Sequence, residues 1–374
     1  MVYSMENKTQ KILFLIHDLG RGGAEKVLVN LVNNMDADKF DITVMALFGG
    51  GVNEQFLKPH IRYCTVFPRA FRGNSHLMKL LSPGALHRLF IRETYDIEVS
   101  YLEGPSARIV SGCPNPDTKL VSWIHCTIHS PAQAALGFRS LREAERSYCR
   151  MNTVVAVADT VREAFVKNCT PKARTMVLYN TNESEKIQLL SAEPAELKEG
   201  FRWCGVGKLV GSKGFDRMLR IQKRLRSDGI PAHFYALGEG PLRGDLESQA
   251  RELGISDSVH FLGYQTNPYK YVANCHLYVC ASFAEGFSTA ATEALIVGTP
   301  VCTVEVSGMK EMLGRNNEWG IVTENDEDAL FRAVKALAEN PAHLARYKEK
   351  AALRGKTFST EATVKAVEDM LLNL

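Results

Sequence analysis

Two glutamates, Glu285 and Glu293, stand with seven residues between them in a run that ends at Thr299. An apolar stretch that favours a β-strand precedes the run, and the residues around Glu293 favour a helix that Gly298 and Pro300 stop. Ligands of parallel α/β sheets bind outside the carboxyl ends of the strands, so Glu285 is expected at a ligand site. The pattern therefore predicts a strand, a ligand-binding turn and a helix that carries the second carboxylate.

The start of this helix is suited to an anion. Ser288 or Thr289 can cap the helix, which leaves backbone N–H groups and the positive end of the helix dipole facing the ligand. A diphosphate fits this environment, and Gly286 and Phe287 lie in the turn that leads to it. Glu293 lies about one turn into the helix, within reach of the hydroxyls of a ribose. A surface helix that happens to hold two acids is the alternative interpretation.

Two lysines follow an earlier predicted strand. Lys208 comes directly after it and Lys213 lies in the next turn. Their ammonium groups are expected at the ligand edge of the sheet, where a pair of positive charges can neutralise a diphosphate leaving group. Taken singly, each is equally well explained as a solvated surface lysine.

A glycine-rich turn, Gly20–Gly23, follows the first predicted strand and precedes a helix. Such a turn lets backbone N–H groups approach a phosphate. It is not a dinucleotide fingerprint, because Glu25 stands where a glycine is required and no acid ends the second strand near Leu47. This weakens a dehydrogenase interpretation, and a plain tight turn is the alternative.

Composition narrows the class of protein. The chain has 374 residues, enough for two α/β domains, and its formal charge of +3 gives no argument for a nucleic-acid partner. No apolar run approaches the ~20 residues that span a bilayer, and the polar stretch Met1–Gln10 does not read as a secretory signal. Nine cysteines lack any Cys-x-x-Cys spacing, so neither a zinc site nor a disulfide framework is indicated. We expect a cytosolic protein with reduced thiols.

Strand and helix patterns alternate in two series along the chain. Between them, residues 181–200 are polar and Glu-rich without a strand signal. We therefore predict a first domain at residues 1–180, a linker at 181–200 and a second domain at 201–360. The predicted strands are Lys11–His17, Phe40–Leu47, Ile97–Tyr101, Lys119–Ile124, Thr153–Ala156 and Thr175–Leu178, then Phe201–Val206, Ala232–Leu237, Val259–Phe261, Leu277–Cys280 and Val301–Val306.

The run from Glu285 to Thr299 resembles the signature of the retaining glycosyltransferases of family 4, with both glutamates in place. These enzymes have the GT-B fold, an α/β architecture in which two Rossmann-like, doubly wound domains face a central cleft. The resemblance implies that Glu285 lies against the donor sugar and that Glu293 binds the ribose of the nucleotide. It also implies that residues 361–374, an amphipathic helix, pack back on the first domain.

Other positions take a role only from this resemblance. Gly22 and Gly23 match a loop that closes on the donor diphosphate and the acceptor, and Gly240 matches a turn near the nucleotide. Leu262 lies in a segment that contacts the base through backbone groups. His125, at the end of a predicted strand, matches a histidine beside the transferred sugar, with a buried structural histidine as the alternative.

The basic pair of the family is matched by Lys208 and Lys213. Lys208 stands where arginine is more usual. Arginine forks onto phosphate oxygens, whereas lysine acts as a point charge, so the contact survives with a less defined geometry.

Two basic stretches of the first domain bear on the acceptor. Four arginines recur at spacings of three and four, which predicts one face of a helix: Arg139, Arg142, Arg146 and Arg150. A second stretch, between Arg69 and Arg92, mixes Arg72, Lys79 and Arg88 with Phe71, Leu77, Met78, Leu80, Leu81 and Phe90. Such mixtures can lie on an anionic membrane, as family 4 enzymes that build lipid-linked glycans do, and a solvated basic face is the alternative.

Together these features predict a cytosolic, membrane-associating, retaining glycosyltransferase. It would move one sugar from a nucleotide diphosphate sugar to a hydroxyl of a lipid-linked saccharide in surface polysaccharide synthesis, with the sugar between Glu285 and His125. The acidic triplet Asp36–Asp38 precedes the second strand, at the opposite end of the sheet from the ligand edge, so we expect no metal and no other cofactor. A sugar-nucleotide epimerase and an inactive binding protein are the alternatives, the latter opposed by the intact lysine and glutamate pairs.

Overall fold

The computed structural model of the protein describes residues 9–20, 22–71, 73 and 78–374. Arg21, Arg72 and Leu77, which belong to the predicted motifs, lie outside these residues. The chain forms two compact units, Met1–Thr181 together with Glu361–Leu374, and Asn182–Thr360.

A parallel sheet forms the centre of each unit. The strands are β1 Gln10–Ile16, β2 Phe40–Phe48, β3 Arg62–Phe67, β4 Ile97–Ser100, β5 Lys119–Ile124, β6 Thr153–Ala156 and β7 Arg174–Val177, then β8 Phe201–Val206, β9 Ala232–Leu237, β10 Val259–Gly263, β11 Leu277–Cys280, β12 Val301–Val304 and β13 Ile321–Thr323. The orders are β3-β2-β1-β4-β5-β6-β7 and β10-β9-β8-β11-β12-β13. The order reverses between β1 and β4 and between β8 and β11, and such reversal points are where doubly wound sheets bind ligands.

Helices connect the parallel strands. They include α1 Gly23–Asn34, α2 Pro83–Phe90, α3 Pro105–Val110, α4 Pro131–Ala134, α5 Leu141–Tyr148, α6 Asp159–Cys169, α7 Ser184–Ser191, α8 Phe215–Ser227, α9 Arg243–Glu252, α10 Tyr269–Asn274, α11 Thr289–Ile296, α12 Met309–Leu313, α13 Glu327–Glu339, α14 Pro341–Gly355 and α15 Thr360–Leu372. No helix among the described residues is long and apolar enough to cross a membrane.

The central strands are apolar because helices cover both faces of each sheet. In β1 the last five residues are all buried, and β4, β6, β11 and β12 are buried throughout. Continuous apolar runs are typical of such strands, whereas a sheet with one wet face would alternate. The predicted α/β class with two Rossmann-like, doubly wound sheets is confirmed.

The C-terminal helix α15 belongs to the first unit. Val367 and Leu371 are each 1% exposed, so this helix supplies part of the unit's core. The Glu368 carboxylate accepts a hydrogen bond of 2.7 Å from the backbone N–H of Asp36 and lies 3.4 Å from the Lys39 ammonium. The end of α1 and the end of the chain are thus joined by a partly buried charge contact.

The boundary between the two units, Thr181 to Asn182, falls at the start of the predicted linker, residues 181–200. Helix α7 lies within it, and from Asn182 onward the segment belongs to the second unit. Ile187 is 2% exposed and anchors the helix, and the backbone N–H of Ser184 donates to the Thr360 hydroxyl. A single buried face among many exposed acids was too weak a periodic signal to reveal a helix.

Two strands, β3 and β13, were not predicted from the sequence, and both lie at the edge of a sheet. β3 is only partly buried, and β13 has three residues, none of them fully buried. Edge strands face solvent on one side and are commonly short, so their patterns lack the long apolar runs that reveal central strands.

Candidate functional site

In the second unit, the turn from β11 to α11 carries the first predicted carboxylate. The Ser288 hydroxyl accepts a hydrogen bond of 3.3 Å from the backbone N–H of Ala291, so Ser288 is the helix cap and Thr289 is the first helical residue. Phe287 is buried and packs against the ring of Phe358, 6.0 Å away. The cap therefore sits on a fixed turn, with the positive end of the helix dipole at the exit of β11.

Glu285 lies in this turn and is held by three neighbours. Its Oε1 atom is 2.6 Å from the Lys213 ammonium and accepts a bond of 2.7 Å from the Ser282 hydroxyl. The Cys280 thiol lies 3.9 Å from the same oxygen. The side chains of Lys213 and Glu285 are 31% and 11% exposed, so the ion pair is partly shielded from water. The structure thus joins two residues that the sequence had assigned separately, to the diphosphate and to the sugar.

A glycine explains how Lys213 reaches Glu285. Gly214 has a φ of 67°, and a Cβ atom there would collide with the carbonyl oxygen of Ala281. The backbone N–H of Phe283 donates to the Ser212 carbonyl over 2.8 Å. The turn after β8 is therefore held against the exit of β11, which a residue with a side chain at position 214 would prevent.

Lys208 has a different environment from Lys213. It is exposed, and no described residue forms a hydrogen bond or an ion pair with its side chain. The neighbouring Leu209 donates its backbone N–H to the Glu239 carbonyl over 3.0 Å, and Gly240 lies so close to the Leu209 carbonyl that a Cβ atom would collide. The turns after β8 and β9, which carry Lys208 and Gly240, therefore lie side by side.

Glu293 is the fifth residue of α11 and is 8% exposed. The Tyr269 hydroxyl donates to its carboxylate over 3.3 Å. Tyr269 begins α10 and was missed by the sequence analysis, because no spacing connects it to Glu293. Ser282 was also missed, although its place three residues before Glu285 is a usable signal.

Leu262 lies where the strand ladder is irregular. The register between β10 and β9 shifts between Phe261 and Gly263, so Leu262 falls outside the regular pairing. Its carbonyl accepts a bond of 2.6 Å from the Gln265 side chain. The predicted contact of this segment with a base through backbone groups is not tested by these contacts and stays a prediction.

In the first unit, His125 directly follows β5 and is 9% exposed. Burial lowers the pKa of His125 to about 3, although a hydrogen bond with the Tyr101 backbone opposes the shift. Its Nε2 atom is buried and has no hydrogen-bond partner among the described residues. A neutral imidazole with an unused Nε2 lone pair can accept a hydrogen bond from a hydroxyl.

Glu103 fixes the backbone at His125. Its carboxylate accepts a bond of 3.0 Å from the backbone N–H of His125. Burial raises the pKa of Glu103, and hydrogen bonds from the backbone of His125 and from Cys126 oppose the shift. The sequence carries no signal for Glu103, because its contact with His125 depends on β4 and β5 lying side by side.

Gly22 and Gly23 begin α1, with Gly22 in extended conformation at its N-cap position. A Cβ atom at Gly22 would meet the Glu25 carboxylate. Burial and the nearby charge of Asp18 raise the pKa of Glu25. Gly22 therefore lets the chain pass close to the Glu25 carboxylate. The predicted contact of Gly22 and Gly23 with a donor phosphate stays a prediction.

The prediction that four arginines share one helical face is wrong. Helix α5 begins after its Ser140 cap and ends at Tyr148, so it holds only Arg142 and Arg146. The Arg139 guanidinium donates to the carbonyls of Lys79 and Leu80, and Arg150 donates to those of Ser111 and Cys113. Arg139 precedes the helix and Arg150 follows it, so their guanidinium groups bind backbone carbonyls of neighbouring segments and are not aligned with Arg142 and Arg146.

The acidic triplet is a turn between α1 and β2. Asp36 pairs with Lys39 at 3.0 Å, and its carboxylate accepts the backbone N–H of Asp38. The side-chain hydrogen bond from Lys39, with that of the Asp38 backbone, lowers the pKa of Asp36. These contacts place it at the amino end of the sheet.

Two family matches account for most of the chain. Residues 21–182 match the family described as Glycosyltransferase Family 4, and residues 187–354 match Glycosyl transferases group 1. The chain belongs to glycosyltransferase family 4. The fold of this glycosyltransferase is the GT-B fold, as the sequence predicted.

Similar proteins cover nearly the whole of this glycosyltransferase. An N-acetylgalactosamine-N,N'-diacetylbacillosaminyl-diphospho-undecaprenol 4-alpha-N-acetylgalactosaminyltransferase of Campylobacter jejuni is 29% identical, over 97% of this chain and 98% of its own. The lipopolysaccharide core biosynthesis glycosyltransferase LpsD of Rhizobium meliloti is 25% identical over 96% of both chains. The crystal structure of Anabaena Alr3699/HepE in complex with UDP has a TM-score of 0.76 at 20% identity, over 97% of this chain and 100% of its own.

Proposed function

We propose that the protein is a retaining glycosyltransferase of surface polysaccharide synthesis. It would transfer a sugar from a nucleotide diphosphate sugar to a hydroxyl of a lipid-linked saccharide. The names of the Campylobacter and Rhizobium relatives support this acceptor class. The ion pair between Lys213 and Glu285 is the observation that carries the proposal, because it puts a cation and a carboxylate beside the capped start of α11.

The second unit would bind the donor. Lys208, Lys213 and the start of α11 at Ser288 would contact the diphosphate, and Glu293 would accept hydrogen bonds from the ribose hydroxyls. Negative charge grows on the diphosphate as the sugar leaves, so fixed positive groups stabilise the transition state more than the ground state. With these groups in place, catalysis would need no divalent metal.

The first unit would contribute His125. Its neutral ring has an unpaired Nε2 atom among the described residues, which supports a hydrogen bond from a sugar hydroxyl. Glu103 would keep this nitrogen oriented by holding the backbone of His125. The histidine would therefore orient the sugar and leave proton transfer to other groups.

A panel of nucleotide sugars, screened by thermal shift, tests donor binding. The donor that stabilises the protein is then incubated with an undecaprenyl-diphosphate-linked saccharide, and NMR of the product gives the configuration of the new linkage. We expect transfer with the configuration of the donor retained. An inverted linkage would contradict retention, and conversion of the donor without any acceptor would favour the epimerase.

We further propose that the enzyme works on the cytoplasmic face of a membrane, through its first unit. Leu80 and Leu81 are 74% and 40% exposed, in a segment whose carbonyls are bound by Arg139. Exposed leucines beside arginines suit an anionic lipid surface.

Sedimentation with vesicles that contain phosphatidylglycerol tests this attachment. We expect Leu80→Ser with Leu81→Ser to reduce binding, and Arg142→Gln with Arg146→Gln to reduce it more at low salt than at high salt. Exposed Leu189, in the second unit, provides the matched control Leu189→Ser. Unchanged binding in both double variants would remove this surface from the proposal.

A further inference from the structure

Three side chains that commonly bind metals meet inside the first unit, away from the residues proposed for catalysis. They are His87 on α2, Glu98 on β4 and Cys113 in the loop after α3. One ligand atom from each lies within 4.8 Å of the others, and the residues are 5%, 1% and 2% exposed. Among the described residues, no other group of three such side chains comes together.

The contacts inside this cluster are incomplete. The Nε2 atom of His87 lies 2.9 and 3.0 Å from the two carboxylate oxygens of Glu98. Its Nδ1 atom is buried and has no hydrogen-bond partner among the described residues. The Cys113 thiol lies 3.8 Å from the carbonyl of Asn115 and also interacts with the His87 ring. A buried ring nitrogen and a buried thiol thus have bonding capacity left.

The buried carboxylate of Glu98 needs a positive partner. Glu98 is the second residue of a central strand, where an ionised carboxylate is costly unless a cation accompanies it. A protonated His87 supplies one positive charge to the metal-free cluster. A divalent ion would neutralise both a carboxylate and a thiolate while binding a neutral imidazole.

We propose that His87, Glu98 and Cys113 bind one zinc ion. Nitrogen, carboxylate oxygen and thiolate sulfur are the ligands that zinc takes in proteins. Binding would displace two protons, one from the Cys113 thiol and one from the ring nitrogen of protonated His87 that binds the ion, and no bond is oxidised or reduced. The fourth position would go to water or to the Asn115 carbonyl next to the thiol.

The place of the cluster in the fold makes the ion structural. Glu98 lies near the start of β4 and Cys113 precedes β5, whereas His125 follows the end of β5. The ion would tie α2, β4 and the loop after α3 together at the amino edge of the sheet. Zinc at this position would neither touch the donor site nor depend on the proposed function.

Metal content tests the proposal directly. The full chain is unfolded in guanidinium, refolded with zinc sulfate or with EDTA, dialysed, and analysed by plasma mass spectrometry. We expect about one zinc ion per chain after refolding with zinc, and about tenfold less in Cys113→Ser. Cys169→Ser, which removes another buried thiol of the same unit, is the matched control and should keep the ion.

Cobalt and thermal unfolding provide a second readout that does not use activity. Cobalt sulfate added during refolding should give a thiolate-to-cobalt charge-transfer band in the wild type and in Cys169→Ser, and none in Cys113→Ser. Zinc should raise the Tm of the wild type, and Glu98→Gln should lose that rise even if Cys113→Ser fails to fold. Wild-type protein that refolds with zinc yet holds none, with an unchanged Tm, would show that the cluster is only an ion pair and overturn the proposal.

Discussion

The Lys213 ammonium can bind the Glu285 carboxylate and a second anion at the same time. Its ammonium has three N–H donors, and the described contact with Glu285 uses one of them. The cation therefore holds the Glu285 carboxylate in place and still has donors for an anion. Lys208 lacks such a contact among the described residues, so its ammonium is less well positioned.

We expect Lys213→Ala to reduce turnover about a hundred- to a thousandfold, which corresponds to about 2.7 to 4 kcal/mol of barrier. Lys208→Ala should cost less, since that side chain is exposed and not fixed by a neighbour. Steady-state kinetics with saturating donor measures both variants. Equal losses would mean that the contact with Glu285 gives Lys213 no advantage.

Glu293→Ala should weaken donor binding by about 1.5 to 3 kcal/mol, because it removes charge-assisted hydrogen bonds to the ribose. Calorimetry with the donor or with the free nucleotide measures the change. Tyr269→Phe removes only the tyrosine hydroxyl that contacts Glu293 and is the matched control, with a smaller expected loss. Unchanged affinity in Glu293→Ala would take this carboxylate out of the site.

His125 should make stability depend on pH. Its pKa is about 3 in the folded protein, below the ordinary value of 6.5, so between these values the unfolded chain binds the extra proton. The free energy of unfolding therefore falls as pH drops from about 6.5 toward 3, by at most about 1.4 kcal/mol per pH unit. Denaturant unfolding of wild type and His125→Gln, followed over this range, compares the slopes, and parallel curves would contradict a buried neutral histidine.

The places of the candidate site residues in the fold were predictable where one segment carries them. Glu285, Ser288 and Glu293 follow one another on a strand, a turn and a helix, so the local pattern was enough. Ser282 was within reach of the same reasoning. Tyr269 and Glu103 were not, because their contacts depend on which elements the fold places side by side.

At the scale of elements, the central strands were predictable from their apolar runs, and so were two of the four edge strands, β7 and β10, whereas the edge strands β3 and β13 were not. The prediction that four arginines share one helical face was wrong for a related reason. A spacing of three and four residues places side chains on one face only within the bounds of the helix. Ser140 starts α5 and Tyr148 ends it, so Arg139 and Arg150 fall outside. Helix boundaries depend on caps and tertiary contacts that periodicity does not contain.

The turn after β8 gives a prediction for an element. Gly214→Ala should lower the Tm and reduce turnover, because alanine at a φ of 67° is strained and its Cβ would displace the Ala281 backbone. The neighbouring Gly211→Ala is the matched control, since a Cβ atom there meets nothing within 4 Å. If Tm and turnover change equally in the two variants, the close approach of Gly214 to the Ala281 backbone is not what positions Lys213.

At the scale of the whole molecule, we expect catalysis to survive excess EDTA under native conditions. Lysines and a helix dipole would replace a catalytic metal. The acidic triplet lies at the amino end of its sheet, where Asp36 pairs with Lys39 and donates its backbone N–H to Glu368. Turnover with and without EDTA, then with magnesium, manganese or zinc restored, measures this. Rescue by magnesium or manganese would contradict metal independence, whereas rescue by zinc alone would point to the buried cluster at His87.

The order in which the chain is made matters for α15. The first unit comprises Met1–Thr181 and Glu361–Leu374, so its last helix leaves the ribosome only after the entire second unit. At about 5 to 20 residues per second, that delay is roughly 10 to 40 s, during which the surface that Val367 and Leu371 cover stays exposed to water. The nascent first unit therefore exposes apolar surface throughout that delay, and a stop codon before α15 would remove a core helix from the domain that was translated first.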